Sequence, residues 1–446
     1  MAERVDDSPK LRRSSALASE VLRWAVRLTL LAAAVFILLG EVAQDSPLAA
    51  LPAGLSPYAA IFGLLFAGSL SLFGLAALLI AVVSAFRLRW FCRWACPLGS
   101  CNELSTRLGK RVGLRSPAFP RLGRDLVFLT LGGALLGSPI LLWLDPLALF
   151  SGLGQRWAAG AGHWAVGLSG IGAAVVISFF LPGLWCNRIC PLGGLQEILF
   201  SGRRGLTVWM SRRFAKASID DAPLGCRGTS TASLTETLRL GRRAALVLVG
   251  GAAWSWVSPR FGTAQIPPLR PPGAFLDDRK FLSLCVRCGN CARACPTGIV
   301  RPQLFSGPVT TWLAPQVTFA NDYCLPECNR CGEVCPSGAL VPFSLTEKPV
   351  TLIGKAVLDQ DLCLLAEDRE CGICRSHCPY VAIRLEFNEE TYSVLPIVDL
   401  DRCPGCGACE AICPTSPRKA IRVVRIPNGP PGPSVISSSR QRPQSI

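Results

Sequence analysis

Charge-free apolar runs alternate with short polar connections through the first half of the chain. The runs cover 28–40, 57–86, 126–144 and 164–185, and the first extends back to Val21 if Arg23 and Arg27 snorkel at its end. A helix needs about 20 apolar residues to cross a hydrocarbon core, so the pattern predicts four membrane spans within 21–200. A fifth run, Ala244 to Val257, has 14 residues and is short for a span by itself. It opens on Arg242-Arg243 and closes near Gly262-Thr263-Ala264, the layout of a twin-arginine export signal. The match is partial, because Gly241 and Ala245 replace the expected hydroxyl and bulky apolar residues, and a buried cytoplasmic helix is the competing reading. The predicted segments are a basic N-terminus (1–20), a four-span domain (21–200), a basic linker (201–241), a signal-like anchor (242–264), a cysteine-rich domain (265–427) and a tail (428–446). Pro-rich Ile266 to Gly273 reads as a semi-rigid spacer, and the Pro, Ser and Gly of the tail predict disorder.

Composition narrows the class. With 50% hydrophobic and 17% charged residues among 446, soluble domains alone are excluded. Two histidines, His163 and His377, against 22 cysteines exclude a haem-rich membrane cytochrome, which needs paired axial imidazoles. Any redox cofactor must therefore be held by sulfur, with no haem. The net charge of +16 is uneven: the first 264 residues hold 27 Lys/Arg against 13 Asp/Glu, and the rest 19 against 17. This is the signature of basic loops on one side of a membrane, not of a nucleic-acid-binding face. The connection 87–124 carries nine basic residues, whereas 42–56 and 145–163 carry only Arg156 between them. The positive-inside rule then puts the N-terminus and 87–124 in the cytoplasm. Trp90, Trp94, Trp143, Trp164 and Trp185 stand at span ends, where interfacial anchoring is the ordinary role.

Sixteen cysteines form four quartets, each closing on Cys-x3-Cys-Pro. They are Cys285, Cys288, Cys291, Cys295; Cys324, Cys328, Cys331, Cys335; Cys363, Cys371, Cys374, Cys378; and Cys403, Cys406, Cys409, Cys413. The first and last have the full spacing of bacterial ferredoxins, in which three thiolates of one loop and a fourth from a partner motif hold a cubane. Gly289, Gly332, Gly372 and Gly407 inside the loops let backbone N–H groups approach sulfur. Four 4Fe-4S clusters are the natural count. Structural zinc or a disulfide framework would not need the repeated proline or the crossing cysteine. Because the two regular motifs flank two altered ones, a nested pairing (first with fourth, second with third) is expected over a sequential one.

The apolar half contains a repeat. Cys92-x3-Cys96-Pro97-Leu98-Gly99-x3-Glu103 recurs 94 residues later as Cys186-x3-Cys190-Pro191-Leu192-Gly193-x3-Glu197. Each copy follows an even-numbered predicted span, so two duplicated hairpins would bring four thiolates together for one more Fe-S or metal site. The competing reading is two elbows with merely buried cysteines. Cys101 and Cys226 are left over. His163 would sit near an outer membrane face, where a solvated ring is the plainer reading than quinol proton acceptance. His377 adjoins Cys378 and either tunes a cluster or packs.

The first 215 residues resemble the membrane ferredoxin-type protein of periplasmic nitrate reductase systems and its methylamine-utilisation relative (NapH and MauN types). From about residue 240, the twin arginine, Arg270-Pro-Pro-Gly-Ala274, Phe281-Leu-Ser-Leu-Cys285 and the quartets resemble the exported partner (NapG and MauM types). The chain thus resembles a fusion of the two. It departs from the membrane family in that 201–240 contains only Cys226, which leaves the elbow site as the only inner-face redox centre. The fold expected is an α-helical membrane domain, four spans plus a signal-like fifth, followed by an α+β polyferredoxin domain. The resemblance implies electron transfer from quinol to a periplasmic redox enzyme or carrier, in the bacterial inner membrane with the ferredoxin domain outside. A maturation factor for a periplasmic metalloenzyme is the alternative. A cluster-based sensor is a third reading, which four clusters exceed. No general acid, base or nucleophile constellation is visible.

Overall fold

A computed structural model describes residues 9–39, 47–68, 72–116, 118–136, 141–152, 164–215, 230–257, 268–303, 311–367, 369–389 and 393–425. The chain divides into one unit of 1–261 with 283–288 and a second of 262–282 with 289–446. His163, Cys226 and the tail lie outside the described residues.

The first unit is helical. Its helices are α1 (Pro9–Leu39), α2 (Leu51–Gly54), α3 (Pro57–Ala67), α4 (Leu72–Phe86), α5 (Trp90–Trp94), α6 (Pro97–Arg111), α7 (Leu122–Leu135), α8 (Pro146–Ser151), α9 (Trp164–Phe180), α10 (Pro191–Ala215) and α11 (Ser230–Val257). The count of four spans plus a fifth is corrected: among the described residues only α1, over Ala18–Leu38, is long and apolar enough to cross a membrane. The run 57–86 breaks into α3 and α4, with Gly68 in the left-handed conformation (φ 64°) ending α3. Apolar character persists across such a break, but the helix does not. The connections expected as outer loops also differ. Their described parts include α2 and α8, whose Pro52, Ala53, Gly54, Pro146, Leu147 and Ala148 are buried. Proline at the first turn opens a short helix cheaply, and small or apolar side chains let it enter a core.

Arginines in the middle of α1 are pinned instead of snorkelling. Arg27, only 2% exposed, pairs with Glu103 of α6, and Arg23 reaches the same carboxylate at 3.2 Å. Helix α11 carries Arg242 and Arg243 within a single 28-residue helix, and Arg243 pairs with Asp125 of α7 at 2.5 Å. The two backbones meet at glycine: a Cβ on Gly251 would stand 2.2 Å from the Leu129 carbonyl oxygen. Small residues of this kind permit close helix packing.

The second unit is a set of short strands and single-turn helices. Antiparallel pairs form between β1 (Val300–Pro302) and β2 (Pro315–Val317), β3 (Lys355–Leu358) and β6 (Ile421–Val424), and β4 (Ile383–Asn388) and β5 (Ser393–Val398). Four short helices, α12 (Asn290–Ala294), α13 (Arg330–Glu333), α14 (Ile373–Ser376) and α15 (Ala408–Ile412), carry Cys291, Cys331, Cys374 and Cys409. Gly289 and Gly407 precede α12 and α15 with φ of 73° and 82°, a conformation that favours glycine. Buried arginine ties the fold together: Arg270 holds Asp278 at 2.9 Å and the Pro315 carbonyl at 2.8 Å, and Arg425 reaches Asp278 at 2.6 Å.

Candidate iron-sulfur centres

In the first unit the Cys-Pro-Leu-Gly sequence builds a thiol at a helix start. Cys96 is the N-cap of α6, Pro97 takes the first helical position, and the Cys96 sulfur accepts from the Gly99 amide at 3.3 Å. A side chain at Gly99 would press on the Cys92 carbonyl oxygen at 3.0 Å. The second copy repeats this, with the Gly193 amide donating to Cys190 ahead of α10. The two copies converge: Cys96 lies within electrostatic range of Cys92, Cys186 and Cys190, and Cys190 within range of Cys92 and Cys186. All four repeat cysteines therefore share one locus, while Cys101 stands apart, half-buried on α6.

Buried amides complete this locus crosswise. Gln196 Nε2 of the second copy donates to the Cys92 sulfur of the first at 3.2 Å, and Asn102 of the first stands beside Cys186 of the second. The glutamates of the repeat anchor its helices. Glu103 meets Arg23 and Arg27, and Glu197 meets Arg89 at 2.7 Å and Arg124 at 3.2 Å. The amides are a feature that the Cys-Pro-Leu-Gly repeat alone did not flag. Their signal was the residue before each repeated glutamate, Asn102 and Gln196, both able to donate.

In the second unit the thiols group across neighbouring motifs. Cys295, the last of its motif, lies within range of Cys324 and Cys331 of the next, which also sense Cys328. Cys413 lies within range of Cys363 and Cys374, which also sense Cys371. Cys378 in turn joins Cys406 and Cys409, which sense Cys403. The nested pairing is thus corrected to a sequential one. The reason is local: the β1–β2 pair lies between the first two motifs and the β4–β5 pair between the last two, and an antiparallel pair folds each motif back on its neighbour. Cys285 and Cys288 are buried and fall with the first unit, Cys291 and Cys335 with the second.

Two of these groups adjoin. The Cys324 amide donates to the Cys406 carbonyl at 2.9 Å, and Tyr380 senses Cys324, Cys378 and Cys406. Crossing cysteines accept from nearby donors: Ala382 N to Cys378 at 3.3 Å, Leu340 N to Cys335 at 3.4 Å, and the Thr415 hydroxyl lies 3.2 Å from Cys413. His377 turns Nδ1 to the Ile373 carbonyl at 3.1 Å and the Ser376 hydroxyl at 3.2 Å, not to a thiol.

The electrostatics fit an iron-sulfur cube. Burial pushes the Cys374 thiol up to about 11 and Cys406 up to about 12, with neighbouring thiols adding to the rise. Ionising clustered, buried thiols is unfavourable without a compensating positive charge, which iron supplies. Among the described residues no three His, Cys, Asp or Glu side chains converge closely enough for a single metal ion. A cube with irons at alternate corners takes thiolates held farther apart than one ion does. When bound, such a cluster supplies one-electron storage; the chain's residues hold it, donate to its sulfurs and keep water away.

Comparisons with known proteins agree with this chemistry. The family model described as a 4Fe-4S dicluster domain matches 284–365 and 369–416, and that of a 4Fe-4S binding domain matches 60–115 and 164–216. The chain is 34% identical to the methylamine utilization ferredoxin-type protein MauM of Methylobacillus flagellatus, over 45% of this chain and 89% of that protein. It is 37% identical to the ferredoxin-type protein NapG of Escherichia coli, over 32% of this chain and 65% of NapG. It is also 34% identical to the ferredoxin-type protein NapH of the same organism, over 25% of this chain and 39% of NapH. No solved structure matches the chain. The match with MauM covers 89% of that relative, and the chain belongs to the MauM family of ferredoxin-type proteins with 4Fe-4S domains.

Proposed function

We propose that this protein is a membrane-bound conduit that takes electrons from the quinol pool and passes them through 4Fe-4S clusters to a periplasmic redox enzyme. Four clusters belong to the second half of the chain. Cys324, Cys328, Cys331 and Cys295 hold one; Cys363, Cys371, Cys374 and Cys413 another; Cys403, Cys406, Cys409 and Cys378 a third. The fourth is the one that the regular spacing of the first motif calls for. The elbow locus of Cys92, Cys96, Cys186 and Cys190 holds a further Fe-S or metal centre. The observation that carries this reading is the contact between groups: the Cys324 amide bonds the Cys406 carbonyl, so an electron on one group has the next within short reach. Quinol oxidation releases two electrons and two protons, and the electrons travel singly.

The apolar helix over Ala18–Leu38 supports a membrane anchor. Outward-facing Phe36, Leu79, Leu135 and Phe180, each at least 60% exposed, favour lipid around the first unit. In this reading the N-terminus is cytoplasmic and the ferredoxin domain periplasmic. Quinol added to membrane vesicles should bleach the cluster absorbance. If quinol leaves the clusters oxidised while a periplasmic enzyme still needs this protein to become active, the conduit reading fails. A role in maturing a periplasmic metalloenzyme then takes its place. The relative named for methylamine utilization supports that second reading.

A further inference from the structure

We infer that Lys348 tunes the site of Cys295, Cys324, Cys328 and Cys331 so that it accepts an electron more readily than the neighbouring sites of the second unit. The inference rests on the proposed assignment of these four cysteines to one cluster. Lys348 opens a turn of 3-10 helix and is only 3% exposed. Its ammonium donates to the Cys324 sulfur at 3.1 Å and to the Cys328 carbonyl at 2.8 Å. The Phe343 ring stands 5.2 Å from Nζ and walls it from solvent.

The ordinary role of a buried lysine here would be to cap carbonyls. Lys355 does this for Cys403 at 2.7 Å, and Lys419 does it for Cys413. Lys348 goes further, because one of its bonds ends on sulfur. For Cys363, Cys374 and Cys409 the leading electrostatic neighbours are other thiols and backbone N–H groups. Reduction adds one electron, from an adjoining site or from a mediator dye in a titration, and neither breaks a bond nor needs a proton. The site's negative charge rises by one. A cation about 3 Å from a ligand sulfur, out of water, favours that more negative state. Because Cys324 bonds to Cys406, the favoured site adjoins another and would hold the electron between transfers.

The test is an EPR-monitored redox titration of the detergent-solubilised full chain with Lys348→Met, Lys348→Gln and Lys348→Arg. Met or Gln should make one centre at least tenfold harder to reduce, which for one electron is about 59 mV more negative. The other centres should stay in place, and Arg should retain most of the original midpoint. Unmoved midpoints with full iron content would overturn the role of Lys348 alone. So would loss of iron in both Met and Gln, which would make the lysine a structural anchor. Too little iron and sulfide in the unsubstituted protein for four cubes would instead overturn the cluster assignment, and this inference with it.

Discussion

Gln196 donates to the sulfur of Cys92 at 3.2 Å across 104 residues of chain. Asn102, its counterpart in the repeat, lies beside Cys186, so each half furnishes an amide to the first cysteine of the other. The duplication is therefore interlocked, and neither half completes the thiol locus alone. Gln196→Leu should leave the iron content of this centre intact but shift its midpoint negative. A hydrogen bond to a charged group is worth about 1.5–3 kcal/mol, enough to read in a redox titration.

Sequential exchange of cysteines makes a prediction that a nested scheme does not. Cys378→Ser should remove about four irons, and adding Cys403→Ser should remove no more, because both serve one cube. Combining Cys378→Ser with Cys371→Ser should cost about eight. Iron and acid-labile sulfide per chain would decide it, and additive loss in the first pair would refute the grouping.

The elbow centre and the second-half clusters should be separable. Cys96→Ser or Cys190→Ser should abolish quinol-driven reduction in vesicles while dithionite still reduces the other clusters, leaving about sixteen irons. Reduction by quinol at the unchanged rate would mean that electrons enter elsewhere.

Burial works to raise the Asp278 carboxyl, but Arg270 and then Arg425 outweigh it and hold it below the usual carboxylate range. A carboxyl lowered by folding stabilises the fold above its unfolded value of about 4, and the benefit fades as pH falls through the lower folded value. Asp278→Asn should destabilise the protein by about 2–3 kcal/mol at neutral pH, toward the low end for a buried pair because Asp278 is itself partly exposed. Thermal melts from pH 7 to 3 should show the variant losing less stability than the parent. An equal loss would show that Asp278 does not contribute in this window.

Topology is open to a direct check. Reporter fusions at the N-terminus and after residue 446 should report opposite sides of the membrane, as the apolar helix over Ala18–Leu38 and the proposed cytoplasmic N-terminus imply. Reporters on the same side would refute the periplasmic placement of the ferredoxin domain.

Local chemistry was legible in order of its dependence on short spacing. The quartets and the Cys-Pro-Leu-Gly elbows are written within a dozen residues or so each, and a thiol loop around a cube needs little more. Helix length was less legible. Gly68 breaks the apolar run 57–86 that hydropathy reads as continuous. Lys348 was invisible, since nothing near it in sequence marks it as a neighbour of Cys324, 24 residues away.

By itself the sequence determined that sulfur holds the redox groups, that the apolar half is duplicated, and where the basic excess lies. Those properties are residue identity, repetition and charge, and they survive without any fold. Only the tertiary structure decided which cysteine crosses to which motif, that Asn102 and Gln196 serve opposite halves, and that a buried ammonium ends on Cys324. Each is a contact between distant segments, set by how antiparallel pairs and packed helices return the chain on itself.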